Sequence, residues 1–592
     1  MSPYGRSLAL AITAVALAPP NMLPGQVLDV RPITPPAVAP PLSTLRTAQE
    51  GFESFRREHL PIWNSRRPTP DSCDERIGRF CYWYDENEPD PPREPETIRA
   101  ARQRLISQLD SAARAFPNDR WISGQRVRYL TESDRFDDAV AAARECTVRE
   151  WWCSAVQGFA LHVAGRYAAA DTAYTVAVAL MDSRQRCDWR DLKLVIDDAL
   201  MRRYRDMNCA NRLGLEDRVW WLSRPMLSSA GNDARTEYYS RLMMAQFIED
   251  APSVYQMGFG TDERELLLRY GWPRAWTRDG GFIVGGGAQY PVVGHEPTPA
   301  PPMIPAPGVL DNPASSDSAG WRSKGIPPVR ARYSPEYAKH LIPLEHQAAL
   351  FRRGDSALVV VAWSIARDSA LSAAVRKPNE LTAALVLTKG DPRDATVVRD
   401  DHPGERGTLT ARALWGSMLM STEIAAPSRR TLARARYGVR GSDVPGSRVQ
   451  ISDLLLFDAY DGMPGRLEDV IPHMRSSQRI VAGARVGIYW EAYNTNPTGE
   501  GLNVSITVAP ENSGGGGWLR RRLVALRLVR EAQPVTIGMR DVSARGLAYS
   551  PRSVVVDLAT LNAGRYLMQL ELDAGGGNVV RAERAITVVN RE

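Results

Sequence analysis

The period of the hydrophobic pattern changes once along this chain of 592 residues, and the change restricts which folds it can form. Apolar residues recur at helical spacing from about residue 47 to residue 250. From about residue 345 they alternate with polar residues in short runs bounded by turn residues, as in 502–508. We therefore expect a multidomain α-then-β chain, in which a helical N-terminal half precedes two immunoglobulin-like β-sandwich domains at 343–478 and 479–592.

Two segments are too rich in proline and glycine to belong to either half. Residues 19–46 are predicted to be an extended, proline-rich leader. Residues 281–342 contain three consecutive glycines and a cluster of prolines. They are expected to form a linker, or long irregular loops over a neighbouring domain.

The first residues have the composition of a secretory signal. Arg6 supplies a positive charge, and residues 7–18 form an apolar run that is too short to span a bilayer as a helix. We predict that residues 1–18 are a signal peptide, with an uncleaved anchor as the alternative. Such a signal places the protein in the periplasm or outside the cell.

All six cysteines lie between residues 73 and 209. An even number in an exported chain favours disulfides, and sequence neighbours would pair as Cys73–Cys81, Cys146–Cys153 and Cys187–Cys209. A zinc site requires closely spaced cysteine pairs or histidines, and His162 is the only histidine in this stretch. The last pair requires a chain break near 195–197, because a continuous helix of 22 residues would hold its ends about 33 Å apart.

Small and aromatic residues recur at fixed spacing within 158–177, and these positions are Gly158, Gly165, Tyr167, Ala170, Tyr174 and Ala177. A partial copy lies 31 residues upstream, where Asp134-Arg135-Phe136 matches Gly165-Arg166-Tyr167. The spacing resembles that of tetratricopeptide repeats, in which small residues let two helices approach and aromatic residues fill the gap. The helical pattern and the cysteines together predict a disulfide-bonded helical domain over 47–209 that contains these repeats. The resemblance implies a concave binding surface on it. An ordinary helical bundle is the alternative.

A second resemblance follows the repeats. The run Gly258-Phe259-Gly260-Thr261-Asp262, followed by Arg269-Tyr270-Gly271-Trp272-Pro273, resembles the signature of the GWxTD domain of exported bacterial envelope proteins. Phe259 stands where that family has tryptophan, and the upstream residues Asn232, Glu237 and Arg241 also fit. The resemblance covers 210–280 as a helical segment and implies that the signature precedes a short strand. It implies no chemistry.

The residues of this signature also have a structural interpretation of their own. Thr261 and Asp262 follow glycines, which predicts a turn closed by hydrogen bonds from side chain to backbone. Phe259 is predicted to be a core contact. We favour this interpretation over a binding site.

Charge does not point to a nucleic-acid partner, although the net charge is +6. Only five of the 74 basic residues are lysine, and the acidic residues are interspersed among them. Such a bias towards arginine is typical of a GC-rich genome. The densest basic stretch, 520–530, alternates with apolar residues and is predicted to be a strand with one solvated face.

A search for catalytic motifs finds no nucleophile elbow, zinc-protease motif, phosphate-binding loop or dinucleotide fingerprint. Two groups come nearest to a metal site, and these are His340, Glu345, His346 and Asp355, and Asp85, Glu86 and Glu88. Neither has the ligand spacing of a zinc or calcium site, so solvated side chains are favoured. We expect no catalytic residue, metal or cofactor.

The tandem tryptophans Trp151-Trp152 and Trp220-Trp221 are the remaining candidates for ligand contact, since exposed aromatic rings stack on sugars. The sequence favours a non-catalytic interaction or scaffold protein of the cell envelope. It would bind other envelope proteins through the helical half, about 97–250, with the sandwiches as spacers. A glycan- or peptidoglycan-binding protein is the alternative, and an envelope hydrolase without a recognisable motif is the least favoured.

Overall fold

Helices occupy most of the chain before residue 270, and strands dominate after residue 340, as the change of period predicts. The computed structural model describes residues 41–63, 73–83, 89–148, 151–280, 282–284, 287–289, 291–295, 301–321, 330–377, 379–441, 449–494, 502–511, 535–541, 549–573 and 579–590. They belong to one compact unit. The predicted signal peptide, most of the leader, the group Asp85, Glu86 and Glu88, and the stretch 520–530 lie outside them.

The helical half is built from short helices with a small two-stranded hairpin after the first. The helices are α1 (Leu42–His59), α2 (Glu96–Ala115), α3 (Arg120–Thr131), α4 (Phe136–Arg144), α5 (Trp152–Val163), α6 (Tyr167–Leu180), α7 (Ser183–Arg190), α8 (Asp198–Arg205), α9 (Cys209–Ser223), α10 (Asp233–Glu249) and α11 (Thr261–Tyr270). The hairpin pairs β1 (Glu75–Ile77) with β2 (Phe80–Tyr82).

The two sequence copies form two helix pairs with the same connecting turn. Asp134 and Gly165, which are equivalent in the copies, both have a left-handed backbone, with φ of 55° and 73°. The arginine after each donates its backbone N–H to a carbonyl of the preceding helix, Leu130 O and Leu161 O respectively. The α3–α4 and α5–α6 connections therefore share one turn geometry at the positions that match in sequence.

Gly158 lets α5 and α6 approach each other, as the spacing predicts. A Cβ at this position would lie 2.8 Å from the ring of Tyr174. Tyr174, Ala170 and Ala177 are fully buried. The small residue on one helix and the aromatic residue on the other thus form a single close contact.

The inner face of these repeats is filled by α10, a helix of the same chain. Almost every residue of α10 is buried. Its Phe247 packs against Trp152 and Phe159, and its backbone carbonyl accepts a hydrogen bond of 2.6 Å from Gln125 on α3. α10 therefore packs against α3, α5 and α6, the helices on which a concave binding surface was expected.

The three predicted disulfides are present: Cys73–Cys81, Cys146–Cys153 and Cys187–Cys209. The first closes the β1–β2 hairpin and the second joins the end of α4 to the start of α5. The third is possible because the chain leaves helix between α7 and α8, at 191–197. That break agrees with the one predicted from the length of a continuous helix.

Part of the segment 281–342 packs against both halves of the chain, so these residues are not an extended linker. Met303, Leu310 and Trp321 are buried among residues of the helical core. A short helix, α12 (Pro307–Asp311), lies in this stretch. Gly438 of the β half passes so close that a Cβ there would lie 2.1 Å from the carbonyl oxygen of Ala314. The sequence left two alternatives for this segment, a linker or irregular loops over a neighbouring domain. The described residues fit the second.

The strands that follow the hairpin form several mostly antiparallel sheets and short ribbons. The ribbons are β3 (Ala275–Arg278) with β6 (Val292–His295), and β4 (Phe282–Val284) with β5 (Gly287–Gln289). The sheet strands are β7 (His340–Pro343), β8 (Glu345–Arg353), β9 (Ser356–Ser364), β10 (Thr382–Thr388), β11 (Thr396–Asp400), β12 (Arg406–Leu414), β13 (Met418–Ala426), β14 (Thr431–Val439), β15 (Gln450–Ile451), β16 (Leu455–Asp458), β17 (Arg479–Val481), β18 (Arg485–Tyr493), β19 (Leu502–Pro510), β20 (Val535–Asp541), β21 (Tyr549–Asp557), β22 (Gly564–Asp573) and β23 (Val579–Val589). The helices α13 (Ser369–Val375) and α14 (Leu467–Val470) lie between them.

The sheets are stacked in layers that share apolar faces. The first sandwich-like pair sets the sheet β11-β10-β13-β14-β7 against β12-β9-β8. The second pair sets β18, with its partners β15, β16 and β21, against β17-β23-β22-β19-β20. A further cluster joins the two pairs. The run 357–363 on β9 is uninterruptedly apolar because its alternate residues enter two different cores.

The boundary between the two β units lies before residue 449 and not at 478. β15 and β16 pair with β18, so 450–458 belongs to the second unit. The sequence identified 449–457 as a strand-like run, but strand pairing is a non-local property. The alternation of one strand does not reveal which sheet it joins.

The two halves are held together by buried polar contacts that we call the junction brace, comprising Ser228, Ser421, Glu423 and Arg436. Glu423 and Arg436 lie on β13 and β14 and form a fully buried ion pair of 3.0 Å. Glu423 also accepts hydrogen bonds from the backbone N–H and hydroxyl of Ser228, in the loop after α9. Arg436 donates to the carbonyls of Arg224 and Pro225. The brace therefore fixes the helical half on the outer face of the first sheet.

Candidate functional site

The signature residues Gly258 to Asp262 connect the disulfide-closed hairpin to α11. The Asp262 carboxylate accepts two hydrogen bonds of 2.7 Å from the guanidinium of Arg79, which lies at the hairpin tip. It also accepts the backbone N–H groups of Arg79 and Glu263. These hydrogen bonds, those from Arg79 first, hold the pKa of Asp262 well below its usual value. The signature residue Asp262 therefore joins the β1–β2 hairpin to the start of α11.

The structure departs from the family pattern directly after the signature. Thr261 begins α11, so a helix follows where the resemblance implied a short strand, and the strand β3 comes only after the turn at Gly271. Phe259 is partly buried against the helical core. Within the signature, side-chain-to-backbone hydrogen bonds do form, but they stabilise the start of a helix.

The upstream residues of the resemblance serve the same region. Asn232 caps α10 by accepting the N–H of Arg235 at 3.0 Å. Glu237 and Arg241 form a buried ion pair of 2.6 Å on α10. Arg241 also donates to the carbonyls of Leu268 and Arg269, which ties α10 to the end of α11.

Replacing Gly78 by alanine tests the contact at the hairpin tip. Gly78 has a φ of 53°, and a Cβ would lie 2.6 Å from the Cβ of Asp262. We expect Gly78→Ala to lower the free energy of unfolding by about 1–2 kcal/mol through backbone strain and by about 1–3 kcal/mol more through overlap. Gly165→Ala is the matched control, since Gly165 has a φ of 73° with nothing within 4 Å. Equal losses in urea unfolding would show that Asp262 simply moves aside.

Glu263, next to the signature, is a buried carboxyl with an unusual pKa. Burial raises its pKa from 4.5 to about 7. Its Oε2 atom has no hydrogen-bond partner within the described residues. Ser253 offers only a long hydrogen bond, of 3.4 Å, to Oε1.

The raised pKa gives a pH dependence of defined sign. Between pH 4.5 and about 7 the folded state holds this proton more tightly than the unfolded state, so stability falls as pH rises through that window. A glutamine at position 263 cannot titrate, so we expect Glu263→Gln to remove this part of the pH dependence of stability. At pH 8, where the parent buries a carboxylate, the variant should be more stable than the parent. Urea unfolding at pH 5 and pH 8 checks this. A variant with the same pH slope as the parent would contradict it.

The tryptophans proposed for sugar stacking lie in the core. Trp151, Trp152, Trp220 and Trp221 are each no more than 7% exposed. Trp151 packs against Trp189, and Trp220 against Tyr238. Later helices cover these rings: α7 supplies Trp189, and α10 supplies Tyr238 and also Phe247, which packs against Trp152.

The histidine and acidic residues considered for a metal do not converge. His346 is bonded to the carbonyl of Leu344 and to the Tyr437 hydroxyl. His340 and Asp355 are exposed. Across the described residues no group of three His, Cys, Asp or Glu side chains is placed to hold a metal ion.

A pocket of about 470 Å³ opens where the helical half meets the first sheet, a volume in the range of ligand sites. We call it the junction pocket. It is lined by Gly165, Tyr167, Met226, Ser229, Ala230, Asp233, Glu336, Tyr337, Thr382, Ala425, Pro427 and Arg430. Both halves contribute, and the junction brace lies beside it in the same loop and strands.

Aromatic rings and a charged pair shape the pocket. Tyr167 begins α6, and its ring meets that of Tyr337 edge to face, with centroids 5.8 Å apart. Tyr167 Oη accepts the backbone N–H of Glu336 at 3.3 Å. The half-exposed Glu336 carboxylate pairs with Arg430 at 2.6 Å. Arg430 is held in a left-handed backbone conformation, with φ of 54°.

Asp233, the first residue of α10, supplies a buried carboxyl. It is 2% exposed, and its Oδ2 accepts a hydrogen bond of 3.0 Å from the Tyr337 hydroxyl. Its Oδ1 has no hydrogen-bond partner in the described part of the chain. Burial raises the pKa of Asp233, and the charge of Arg224 opposes that rise only in part.

Sequence reasoning identified Tyr167 as a repeat position but missed the pocket and the brace. One signal was present for the brace: Glu423 is the single charged residue in the strand 418–426, and every residue of that strand is buried. A lone charge in a buried strand requires a partner. The junction pocket had no comparable signal, because its residues come from five separate segments.

Comparisons with known proteins give little beyond this geometry. No protein-family profile matches the chain, and no curated sequence does. Among solved structures, red sea bream transglutaminase is similar over 42% of this chain and 32% of its own, with 10% identity and a TM-score of 0.13. Salmonella alpha-2-macroglobulin reacted with methylamine is similar over 42% and 24%, with 7% identity and a TM-score of 0.20. The chicken CNTN1 FN1–FN3 domains are similar over 44% and 70%, with 10% identity and a TM-score of 0.15.

These similarities are too weak to support any conclusion about activity. The chain spans about a third of the transglutaminase and about a quarter of the macroglobulin. Three disulfides do indicate an oxidising, extracytoplasmic environment. Within the described segments, no helix has the length and apolar character needed to cross a membrane.

Proposed function

We propose that this chain is a non-catalytic interaction protein of the cell envelope, periplasmic or secreted, that binds another protein at the junction pocket. The observation that carries the proposal is the pocket itself, which lies between two halves fixed by the junction brace. The helical half still contributes much of the lining, through Tyr167 and the loop before α10. The inner face of its repeats is already occupied by α10.

The finer family and fold assignments belong to the same proposal. Helices α3 to α6 are tetratricopeptide-like, as the shared turn at Asp134 and Gly165 supports. The two β units are immunoglobulin-like, as their facing antiparallel sheets support. The segment 210–280 belongs with the GWxTD domain, supported by the buried pair Glu237–Arg241.

Two buried carboxylates have structural roles, which supports binding over catalysis at their positions. Glu237 is engaged by His162 and Arg241, and Glu423 by Arg436 and Ser228. Both carboxylates are saturated by partners within the protein. The glycan alternative loses support, because its candidate tryptophans are buried.

Site-specific photocrosslinking in the native envelope tests the proposal. A benzophenone side chain at Ala230, an exposed residue of the pocket, is expected to capture a protein partner. The control position is Leu414, which is 69% exposed on β12 and distant in sequence. Capture from Leu414 but not from Ala230 would relocate the site. Turnover of an envelope substrate by the purified chain would overturn the non-catalytic assignment.

A further inference from the structure

The junction pocket contains a buried acceptor that no donor of the described residues satisfies. Among these residues, Oδ1 of Asp233 has no hydrogen-bond partner, while Oδ2 accepts a hydrogen bond from the Tyr337 hydroxyl. A buried carboxylate oxygen without a donor is costly, and such atoms in native structures require an explanation. Because Asp233 lines the pocket, a ligand that brings a donor would satisfy it.

The surroundings of that acceptor favour a cation. Tyr167 and Tyr337 present two rings at an interplanar angle of 73°. The face of a tyrosine ring attracts a cation placed within about 6 Å of the ring centroid, and a carboxylate beside it adds to that attraction. The lining carries the carboxyls of Asp233 and Glu336 against the single cation Arg430. Glu336 and Arg430 pair with each other, so the lining supplies no ion-pair partner for Asp233.

We propose that the junction pocket binds the guanidinium group of an arginine side chain from a protein partner, with Asp233 Oδ1 accepting its N–H and the two tyrosine rings beside its plane. This inference rests on the proposed function, since it takes the arginine from a protein. It adds the chemistry that the site recognises.

Arginine fits better than lysine for two reasons. Its planar, weakly hydrated group combines ring stacking with several donors, whereas an ammonium is a compact and strongly hydrated charge. The chain uses the same combination internally: Arg353 lies 4.4 Å from the ring centroid of Tyr549 and pairs with the buried Glu491 at 2.5 Å. The positive charge of Arg224 would repel a second cation near Asp233. Its guanidinium, however, is already engaged by the carbonyl of Ser229 and the ring of Trp221.

The test uses two probes of equal shape on the full mature chain. Nα-acetyl-arginine amide carries the guanidinium, and Nα-acetyl-citrulline amide replaces it with a neutral urea. We expect calorimetric titration to show saturable binding of the arginine probe, at least tenfold tighter than that of the citrulline probe. Equal affinity for both, or no binding of either, overturns the inference in the unmodified protein.

Variants then assign the preference to the pocket. Asp233→Asn keeps the acceptor for Tyr337 but removes the charge, and we expect the preference for arginine to fall at least tenfold. Asp198→Asn is the matched control, because Asp198 is the first residue of α8 and lies outside the pocket lining. A preference that survives Asp233→Asn overturns the inference. If that variant fails to fold, Tyr167→Leu replaces it, with an expected loss of at least fivefold in arginine binding.

The two proposals fail in distinguishable ways. Loss of the arginine preference, with crosslinking from Ala230 intact, would overturn this inference and leave the proposed function standing. Arginine-selective binding without any crosslinked protein would instead indicate a small guanidinium ligand, and would overturn the protein-partner proposal.

Discussion

Replacing Glu423 by alanine should lower the free energy of unfolding by about 3–5 kcal/mol, because it leaves a buried guanidinium without its counter-ion. Burial alone raises the pKa of Glu423, but Arg436 and the hydrogen bonds from Ser228 and Ser421 outweigh it and keep the pKa lowered. In the variant, Arg436 keeps its contacts to the backbone carbonyls of Arg224 and Pro225 but loses its only ionic partner among the described residues.

Glu511→Ala is the control for this prediction. Glu511 pairs with Arg565 at 2.7 Å, but both side chains are more than a third exposed. Exposed pairs are worth about 0–1 kcal/mol, so this variant should be close to the parent. Urea unfolding followed by tryptophan fluorescence measures both. Similar small losses would mean that water or a rearranged side chain compensates Arg436, and that the brace does not fix the two halves.

The Glu423 variant also separates stability from site geometry. The brace and the pocket share the loop 224–233 and strand β13. If the brace positions the pocket, Glu423→Ala should weaken binding of the arginine probe at temperatures where the protein remains folded. Unchanged binding in a destabilised variant would show that the pocket is held by its own contacts.

The local parts of this fold were predictable from the sequence, and the partnerships between segments were not. Helical spacing, the match of Asp134 with Gly165, and the cysteine spacing depend on neighbouring residues, and all three are seen in the structure. The pairing of β15 with β18, and the packing of Trp321 on the helices, depend on residues far apart in the chain. No periodicity within one segment encodes such choices.

The candidate site illustrates the same limit. Tyr167 was visible as a repeat position, but Asp233, Tyr337 and Arg430 acquire their relation only when the first sheet docks on the helices. The tryptophan pairs failed as ligand candidates for the same reason. Helix geometry determines that one ring of a pair faces inwards, but whether the other ring is solvated depends on later helices. Trp151 packs against Trp189 of α7, and Trp152 against Phe247 of α10.

Replacing Phe247 by alanine is the second large perturbation, with an expected loss of about 3–5 kcal/mol in the free energy of unfolding. Phe247 is 1% exposed and lies edge to face with Trp152 and Phe159. A Cβ on Gly124 would come within 2.9 Å of its ring, so the site is closely packed on the α3 side as well. Leu180→Ala, at a side chain that is 55% exposed on α6, is the control, with an expected change within about 0.5 kcal/mol.

Hydrogen exchange then decides whether the inner face of the repeats ever becomes available to a partner. If α10 is a permanent part of the core, its amides should exchange in the parent only through global unfolding, with the same protection as those of α5. Phe247→Ala should lower the protection of both helices together. If α10 instead exchanges through a separate, lower-energy opening, the repeats expose their inner face without unfolding. In that case the surface of α3 and α5 would be the better candidate for the binding site, and the junction pocket would not be the principal site.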